Sequence, residues 1–472
     1  MMKRSLYLET ADKIAAYIKE NKVQAGDRLP TYREFAELFG VSMHTVGSAL
    51  ECLQSKGVVD IHKQSGVFIM EEAYKALYPN SFDWSAYLKK TDGDQLDMHR
   101  RLSEAWIYRG SSSKRYELSN LELSTEFGAH DLWKRSLNKA LENLSPNDLQ
   151  IPAREELAKY SDALTDYMKY YGLDMGSGSV LLAKGTNYSL LFLILTFFAP
   201  GTICYYVSPS KLDASLLFEM ARLIRTPIPT DSEGIDIKYF SERVGRKAKS
   251  VVVVLPELEL SGVTMSMRRR RELYHLCFAN SIPIIEVDEY RGYRSQPLPP
   301  IKTMDKHGIV FYVNTFANTL NNSSEVGWIF ANRELIEHLR YVRLSFWTNF
   351  EVLPHRVIYE ALVSGEYRSY LTKLQAEMRK REEKLNSLLD EYLGDIATWN
   401  RNSEAFFWVK FKKHIDARKI AQNDEGLAVA EFSQYAFAEN NSVLICLPSM
   451  DMNDLRGAVK QLAYLARKSV RA

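Results

Sequence analysis

The stretch from Asp27 to Ile69 constrains this chain most, because it holds two short amphipathic helical patterns, a tight turn and a pair of strand patterns. Thr31 precedes Glu34 by three residues, the spacing of a capping box at a helix start. Gly40 is expected to end this helix, since glycine tolerates a positive φ, and Ser42 to cap the next one. Apolar residues then recur at helical spacing at Val46, Ala49, Leu50 and Leu53. The pattern predicts a helix-turn-helix.

Two β patterns, Val58–His62 and Val67–Met70, follow directly and predict a hairpin. The helical pattern Leu6–Val23 supplies a third helix for a small core, so the region predicts a winged helix whose last helix enters a DNA major groove. The alternative is an ordinary capped helix pair over a small core. The N-termini of the two helices and a wing that contains glycine can contact DNA phosphates and base edges. The candidate DNA-binding residues are Arg33, Ser42, His44, Thr45, Lys63, Ser65 and Gly66.

The run from Arg28 to Ile69 resembles the DNA-binding domain of the GntR family of bacterial transcription regulators. That family carries the signatures R-L-P-S-x-R-x-L-A, G-V-S-R-x-T-V and G-x-G-x-F. The resemblance implies a double-stranded DNA operator as partner. Met43 stands where an arginine commonly follows the cap serine. Because cations and acids nearly balance in this region, one module should bind weakly, and two copies on adjacent half-sites are expected.

Composition bounds the rest of the chain. Its 472 residues, formal net charge of +2 and 46% hydrophobic content suit a small domain plus a large one with its own core. Cys52, Cys204, Cys277 and Cys446 lie far apart, so neither a disulfide framework nor a metal site is predicted. The sequence shows no secretory pattern and no apolar run long enough for a bilayer, so a cytoplasmic protein without membrane contact is expected.

From about residue 116, β-rich runs alternate with helical patterns, which predicts a mixed, mostly parallel sheet wrapped by helices. The predicted strands are 179–183, 202–208, 250–255, 282–288, 308–314 and 326–331. The predicted helices are 189–198, 213–223, 237–244, 268–279, 367–393 and 452–471. The arginine run 268–271 is predicted to form a solvated helix face. The predicted domains are a winged helix-turn-helix at 1–72, a linker with short helices at 73–115 and an α/β domain at 116–472, whose small C-terminal α/β subdomain begins near 396.

This layout resembles the fold-type I aminotransferases, pyridoxal-phosphate (PLP) enzymes that the MocR branch of the GntR family carries behind its winged helix. The runs that carry the resemblance are LWKR at 132–135, SGVTMS at 261–266, IIEVDEY at 284–290 and the segment 311–328. The resemblance implies a multidomain chain with an aminotransferase-like fold, PLP as the cofactor of the family, and a head-to-tail homodimer formed by the large domain.

The residues that PLP chemistry needs are replaced. Such an enzyme requires a lysine amine for its Schiff base, and the lysine of the family's S-F-S-K-T-L run falls at Asn318. Glu325 lies near the place of an arginine that holds the cofactor phosphate, and Lys211 falls at the place of a tyrosine that stacks on the ring. Cys446 ends the strand that offers an arginine to the substrate in the family. We therefore expect a pseudoenzyme with no catalytic residue and no PLP cofactor.

Some of the family's pocket residues persist. Asp288 and Tyr290 match the pair that meets the pyridine nitrogen and ring hydroxyl, and Gly185, Thr186 and Asn187 match the phosphate-binding turn. Together with Asn318 they form the predicted effector pocket, although a strand-end aspartate is more often a cap or a buried hydrogen-bonding group. The expected function is a DNA-binding transcription regulator whose degenerate aminotransferase-like domain dimerises and senses an unknown small-molecule effector.

Two alternatives stay open on the sequence. In the first, the chain is a PLP-binding regulator or an active PLP-dependent aminotransferase, in which Lys184 or Lys211 supplies the amine. In the second, the winged helix docks another protein instead of DNA.

Overall fold

The computed structural model of the protein describes residues 5–21, 23, 26–62, 65–70, 115–144, 154–245, 249–257, 261–320, 325–346, 352–401, 403–423, 425–431, 433 and 437–469. The chain divides into two compact units, Met1–Asp97 and Met98–Ala472. Apart from Arg115, the predicted linker 73–115 lies outside the described residues. The predicted domain boundaries therefore stay predictions.

The described residues of the first unit form three helices and a hairpin. They are α1 (Leu6–Glu20), α2 (Tyr32–Phe39), α3 (Met43–Ser55), β1 (Val59–His62) and β2 (Gly66–Ile69). The predicted capping box is present, because Oγ1 of Thr31 accepts the amide of Glu34 at 3.3 Å and Oε2 of Glu34 accepts the amide of Thr31 at 2.6 Å. Gly40 ends α2 at a φ of 66°.

The core of this unit follows from the spacing of its apolar residues. Ile14 and Ile18 on α1, Phe35 on α2, and Val46 and Leu50 on α3 are fully buried. The hairpin is antiparallel and pairs Val59 with Ile69 and His62 with Gly66. These contacts form the predicted winged helix.

The second unit is larger and alternates strands with helices. Its helices are α4 (Ala129–Glu142), α5 (Arg154–Lys169), α6 (Gly185–Phe197), α7 (Leu217–Met220), α8 (Ile237–Arg243), α9 (Met267–Ala279), α10 (Arg333–Phe346), α11 (Val352–Val363), α12 (Glu366–Leu393), α13 (Ala417–Ala421) and α14 (Leu455–Lys468). Its strands are β3 (Tyr116–Glu117), β4 (Val180–Lys184), β5 (Ile203–Val207), β6 (Ile224–Ile228), β7 (Thr230–Asp231), β8 (Gly234–Ile235), β9 (Ser250–Val254), β10 (Ile284–Val287), β11 (Val310–Thr315), β12 (Val326–Phe330), β13 (Ala397–Thr398), β14 (Phe406–Phe411), β15 (Leu427–Ala428), β16 (Ala430–Glu431) and β17 (Ser442–Cys446).

The main sheet has seven strands in the order β4-β12-β11-β10-β9-β5-β6. Only β12 runs against its neighbours, so the sheet is mixed and mostly parallel, as predicted. A second sheet with the order β13-β14-β17-β16 is antiparallel and forms the small C-terminal subdomain. Strands of the main sheet such as Val251–Val254 are fully buried, which is typical of a sheet covered on both faces.

Three details differ from the predictions. Strand β6 was not predicted, because its Pro227 suits only a strand at the edge of a sheet, which is where β6 lies. The single helix predicted at 213–223 is a 3-10 turn, Lys211–Ala214, followed by the short α7. The solvated face predicted for the arginine run is wrong for Arg269 and Arg270, which are buried. Within the part of the chain that the structure describes, no helix combines the length and apolar character needed to cross a membrane.

Candidate functional site

The first candidate surface is the start of α3 in the winged helix. Oγ of Ser42 accepts the amide of Thr45 at 3.1 Å and lies 2.8 Å from Oγ1 of Thr45. His44 is exposed beside them. The structure thus brings the predicted residues Ser42, His44 and Thr45 together at one helix N-terminus, where amide groups and the helix dipole favour phosphate.

Arg33 lies on α2, where its side chain is 82% exposed and forms an ion pair with Glu37 at 3.2 Å. In the wing, Ser65 is exposed and Gly66 has a φ of 111°. A Cβ atom at Gly66 would lie 2.6 Å from Nε of Arg28. The positive φ favours glycine at this position, whereas the Arg28 side chain is flexible and could move aside for a Cβ atom. Lys63 lies outside the described residues.

The second candidate site is a pocket of about 520 Å³ in the second unit. It opens at the carboxyl ends of the parallel strands, the edge at which sheets of this kind bind ligands. Its lining residues are Lys184, Gly185, Thr186, Asn187, Tyr188, Lys211, Glu289, Tyr290, Thr315, Ala317, Asn318 and Glu325. The structure therefore brings five of the six predicted pocket residues together. The sixth, Asp288, is not among the lining residues.

The charges of the pocket balance in two pairs. The ammonium group of Lys211 donates to the carboxylate of Glu289, and both side chains are largely buried. The ammonium group of Lys184 lies 3.8 Å from the carboxylate of Glu325 in a more exposed part of the pocket. Each lysine of this pocket thus has an acidic partner, so the pocket offers no strong net charge to a ligand.

One wall of the pocket is the start of α6. Gly185 begins this helix at a φ of 57°, and Lys184 provides no side-chain cap, so the first amide groups of the helix have no partner within it. Thr186 is 95% buried by its residue surface, and its Oγ1 has no hydrogen-bond partner among the described residues. The first amide groups of α6 are therefore the donors that this wall can offer to a ligand, whereas the Thr186 hydroxyl is enclosed by protein.

The opposite wall is the segment that follows β11. Nδ2 of Asn318 donates to the backbone oxygen of Glu289 at 3.3 Å, and the hydroxyl of Tyr293 donates to the backbone oxygen of Asn318. The hydroxyl of Tyr370 donates to the backbone oxygen of Thr319 at 2.6 Å. Two tyrosine hydroxyl groups thus donate hydrogen bonds to the successive carbonyl groups of Asn318 and Thr319.

Asp288 lies at the end of β10 with its carboxylate buried. Its Oδ2 forms an ion pair with Nε of Arg291 and accepts the hydroxyl of Tyr312 at 3.0 Å. Burial raises the pKa of the Asp288 carboxyl, whereas the Arg291 guanidinium favours its ionised form. The guanidinium carbon of Arg291 also lies 5.4 Å from the centre of the Tyr171 ring. Arg291 therefore balances the charge of the Asp288 carboxylate from within the same turn.

Comparisons with known proteins agree with this architecture. Residues 122–462 match the family model described as aminotransferase class I and II, which covers well over half of the chain. The chain belongs to the class I and II aminotransferase family. Residues 6–69 also match the model described as bacterial regulatory proteins, gntR family. This aminotransferase-family chain is thus a DNA-binding transcription regulator whose N-terminal winged helix is of the GntR type.

Two similar proteins are named as HTH-type transcriptional regulators. The chain is 26% identical to the uncharacterized HTH-type transcriptional regulator YdfD of Bacillus subtilis, across 99% of this chain and 98% of that protein. It is 22% identical to the HTH-type transcriptional regulator NorG of Staphylococcus aureus, across 83% and 88%. Among solved structures, the kynurenine aminotransferase of Pyrococcus horikoshii matches 82% of this chain and 99% of its own, with 20% identity and a TM-score of 0.72. That last likeness concerns the fold alone.

The family implies PLP, and the pocket of this member does not fit it. The predicted pyridine partner, Asp288, is buried, is not among the lining residues of the pocket and pairs with Arg291 through Oδ2, while its Oδ1 has no hydrogen-bond partner among the described residues. Glu289 and Glu325 pair with the two lysines that line the pocket, so the pocket offers no excess positive charge to a phosphate dianion. Asn318 offers an amide, which forms no Schiff base. No step of PLP chemistry is therefore derived for this site.

Sequence reasoning missed part of this arrangement. It did not single out Glu289, Tyr188, Thr315 or Ala317 as pocket residues, nor Arg291 as the partner of Asp288. A local signal existed for one of them, because Arg291 follows Asp288 by three residues and an arginine at that distance in a tight turn can reach back to the carboxylate.

Proposed function

We propose that this protein regulates transcription as a homodimer that binds operator DNA with two winged helices. Its aminotransferase-like unit is a pseudoenzyme that dimerises and binds a small-molecule effector without covalently held PLP. The observation that carries this proposal is the wall formed by Asn318, which lines the pocket with an amide where the family resemblance requires an amine.

The homodimer is supported by charge and by exposed apolar side chains. Residues 1–72 contain nine lysines and arginines against ten aspartates and glutamates, so one copy should bind DNA weakly and two copies are expected. In the second unit, several large apolar side chains are exposed on helices, which favours an interface with a second copy. They include Leu141, Tyr170, Tyr341, Leu344 and Val363.

The effector role is supported by the pocket itself. Its volume of about 520 Å³ is in the range of small-molecule sites. The start of α6 has no side-chain cap, so its first amide groups can donate hydrogen bonds to a polar ligand. To change transcription, the effector must bind one arrangement of the paired winged helices more tightly than another.

A PLP-binding regulator is the second candidate, because Lys184 and Lys211 line the same pocket. Addition of PLP to the purified protein, followed by borohydride, distinguishes the two. We expect no visible absorbance band that borohydride bleaches and no covalently held pyridoxyl group by mass spectrometry. A band that persists in Lys184→Ala but disappears in Lys211→Ala would establish Lys211 as the amine and overturn the cofactor proposal.

The DNA-binding role is tested by selecting bound duplexes from a random pool with the full-length protein. We expect a salt-dependent complex with a two-fold repeated sequence, weakened in Arg33→Ala and Thr45→Ala. A protein that selects no sequence and forms no complex at low salt would favour the alternative in which the winged helix docks another protein.

A further inference from the structure

Met43 is the first residue of α3, the helix that the winged-helix arrangement directs to DNA, and its side chain is 57% exposed. The apolar residues of α3 that build the core are a separate set: Val46, Ala49, Leu50 and Leu53. Met43 thus contributes a large apolar side chain to a helix start that is otherwise polar. Its exposure on this face is not explained by packing within the unit.

The neighbours of Met43 have defined roles in the helix start. The hydroxyl of Ser42 accepts the amide of Thr45, and the two hydroxyl groups contact each other at 2.8 Å. This cap fixes the first turn of α3 and therefore the direction in which residue 43 leaves the helix. The first turn also carries no acidic residue that would repel DNA.

Residues at the start of a recognition helix contact base edges in the major groove. In that groove, thymine differs from the other bases by a methyl group, which apolar side chains contact. A methionine side chain is flexible and polarizable, so it adapts well to such a group. Methionine offers neither the donors that read guanine nor the amide that reads adenine.

We propose that Met43 is a specificity-determining residue that packs against the methyl group of a thymine in each operator half-site. The inference rests on the proposed DNA-binding function and adds the base that this residue selects. It requires a thymine at one fixed position of each half-site.

Deoxyuridine tests this directly, because it differs from thymidine in lacking only that methyl group. The full-length protein is first used to select its preferred duplex. Each thymine of that duplex is then replaced in turn by deoxyuridine, and the affinities of the wild type and Met43→Ala are measured by fluorescence anisotropy. Leu38→Ala is the matched control, since Leu38 is equally exposed, at 57%, but lies on α2.

For the wild type, we expect about a fourfold loss of affinity at one thymine of each half-site, the effect of removing one methyl-sized contact. The affinity of Met43→Ala should not change when deoxyuridine replaces thymine at that same position. Met43→Ala should bind the thymine duplex about as weakly as the wild type binds the deoxyuridine duplex. Leu38→Ala should keep the wild-type pattern. Met43→Arg should shift the selected base at that position towards guanine, because arginine pairs with its O6 and N7.

Two results would overturn the inference. If Met43→Ala keeps the wild-type sensitivity to deoxyuridine at every thymine, Met43 reads no methyl group, although DNA binding by the protein would still stand. If the wild type itself binds no duplex at low salt, the proposed DNA-binding function fails together with this inference. Circular dichroism of Met43→Ala establishes that the substitution leaves the fold intact.

Discussion

The hydroxyl group of Tyr312 lies 3.0 Å from Oδ2 of Asp288, the same oxygen that pairs with Nε of Arg291. Both charged side chains are at least 98% buried by residue surface, so each depends on the other for its charge. In the aminotransferase family, a carboxylate at this position contacts the pyridine nitrogen of the cofactor. In this chain the carboxylate pairs with the guanidinium group of Arg291, three residues further along.

Arg291→Leu should lower the free energy of unfolding by about 3–5 kcal/mol, because it leaves a buried carboxylate without a counter-charge. Asp288→Asn combined with Arg291→Leu should recover most of that loss, since no charge then remains buried. Chemical denaturation followed by tryptophan fluorescence measures both variants.

The control is the exposed ion pair between Arg401 and Asp390, whose Nη1 and Oδ2 atoms lie 2.8 Å apart. Arg401→Ala should leave the free energy of unfolding nearly unchanged, because exposed ion pairs contribute little. If Arg291→Leu costs no more than Arg401→Ala, then the Asp288 carboxyl is not charged in the folded protein, and the assignment of a buried ion pair is wrong.

Arg33→Ala should weaken DNA binding while leaving stability nearly unchanged. Its ion pair with Glu37 is exposed and separated by one helical turn, so its loss should cost only about 0.3–0.5 kcal/mol. If Arg33 neutralises one phosphate per winged helix, the slope of log K against log salt should fall by about one for each copy.

Glu37→Gln is the matched variant, because it removes the partner and keeps Arg33. It should bind DNA at least as tightly as the wild type, with an unchanged or steeper salt dependence. An equal salt slope in Arg33→Ala and the wild type would show that Arg33 contacts no phosphate.

The sequence predicted those parts of the fold that local pattern determines. The capping box at Thr31, the glycine end of α2 at Gly40 and the buried runs of the parallel strands depend on neighbours in sequence, and the structure has all of them. The edge strand β6 was missed because its signal is weakened by Pro227 and by exposure. Arg270 was misjudged because its partner, Glu257, reaches it only through the fold, at 3.1 Å.

The pocket shows the same limit. Its lining comes from five separate stretches, and only the resemblance to a family indicated that Gly185, Tyr290 and Asn318 would lie together. The pairing of Lys211 with Glu289 joins residues 78 positions apart, which no local spacing signals. For Asp288 the sequence left two interpretations open, a pocket group or a buried hydrogen-bonding group, and the structure pairs its Oδ2 with Arg291, three residues along the chain. The Lys211–Glu289 pair is a contact that only the fold could reveal.

Glu366→Gln should make the stability of the second unit less sensitive to acid. Oε1 of Glu366 accepts from Nζ of Lys139 at 2.6 Å and Oε2 from Nε of Arg135 at 2.8 Å, and these hydrogen bonds lower the pKa of Glu366 below its ordinary value of 4.5. The folded chain then binds fewer protons at this group than the unfolded chain. Its contribution is therefore present above pH 4.5 and is lost as the pH falls through the folded pKa.

The measurement is the denaturation midpoint of the wild type and of Glu366→Gln between about pH 6 and pH 3. The wild type should be more stable at the upper end, by about 1 kcal/mol or less for a partly exposed group, and the two curves should converge at the lower end. Parallel curves across the whole range would mean that the pair of cations at Arg135 and Lys139 does not stabilise the start of α12.

Tyr370→Phe should loosen the pocket wall that carries Asn318. The Tyr370 hydroxyl donates to the backbone oxygen of Thr319 at 2.6 Å in a buried place, so its removal should cost about 1–3 kcal/mol. Amide hydrogen exchange should become faster in the segment 316–320 and stay unchanged in α14. Tyr464→Phe, on the exposed face of α14, is the control and should alter neither quantity. Unchanged exchange in Tyr370→Phe would show that the wall is held by other contacts, because the hydrogen bond would then contribute nothing to its rigidity.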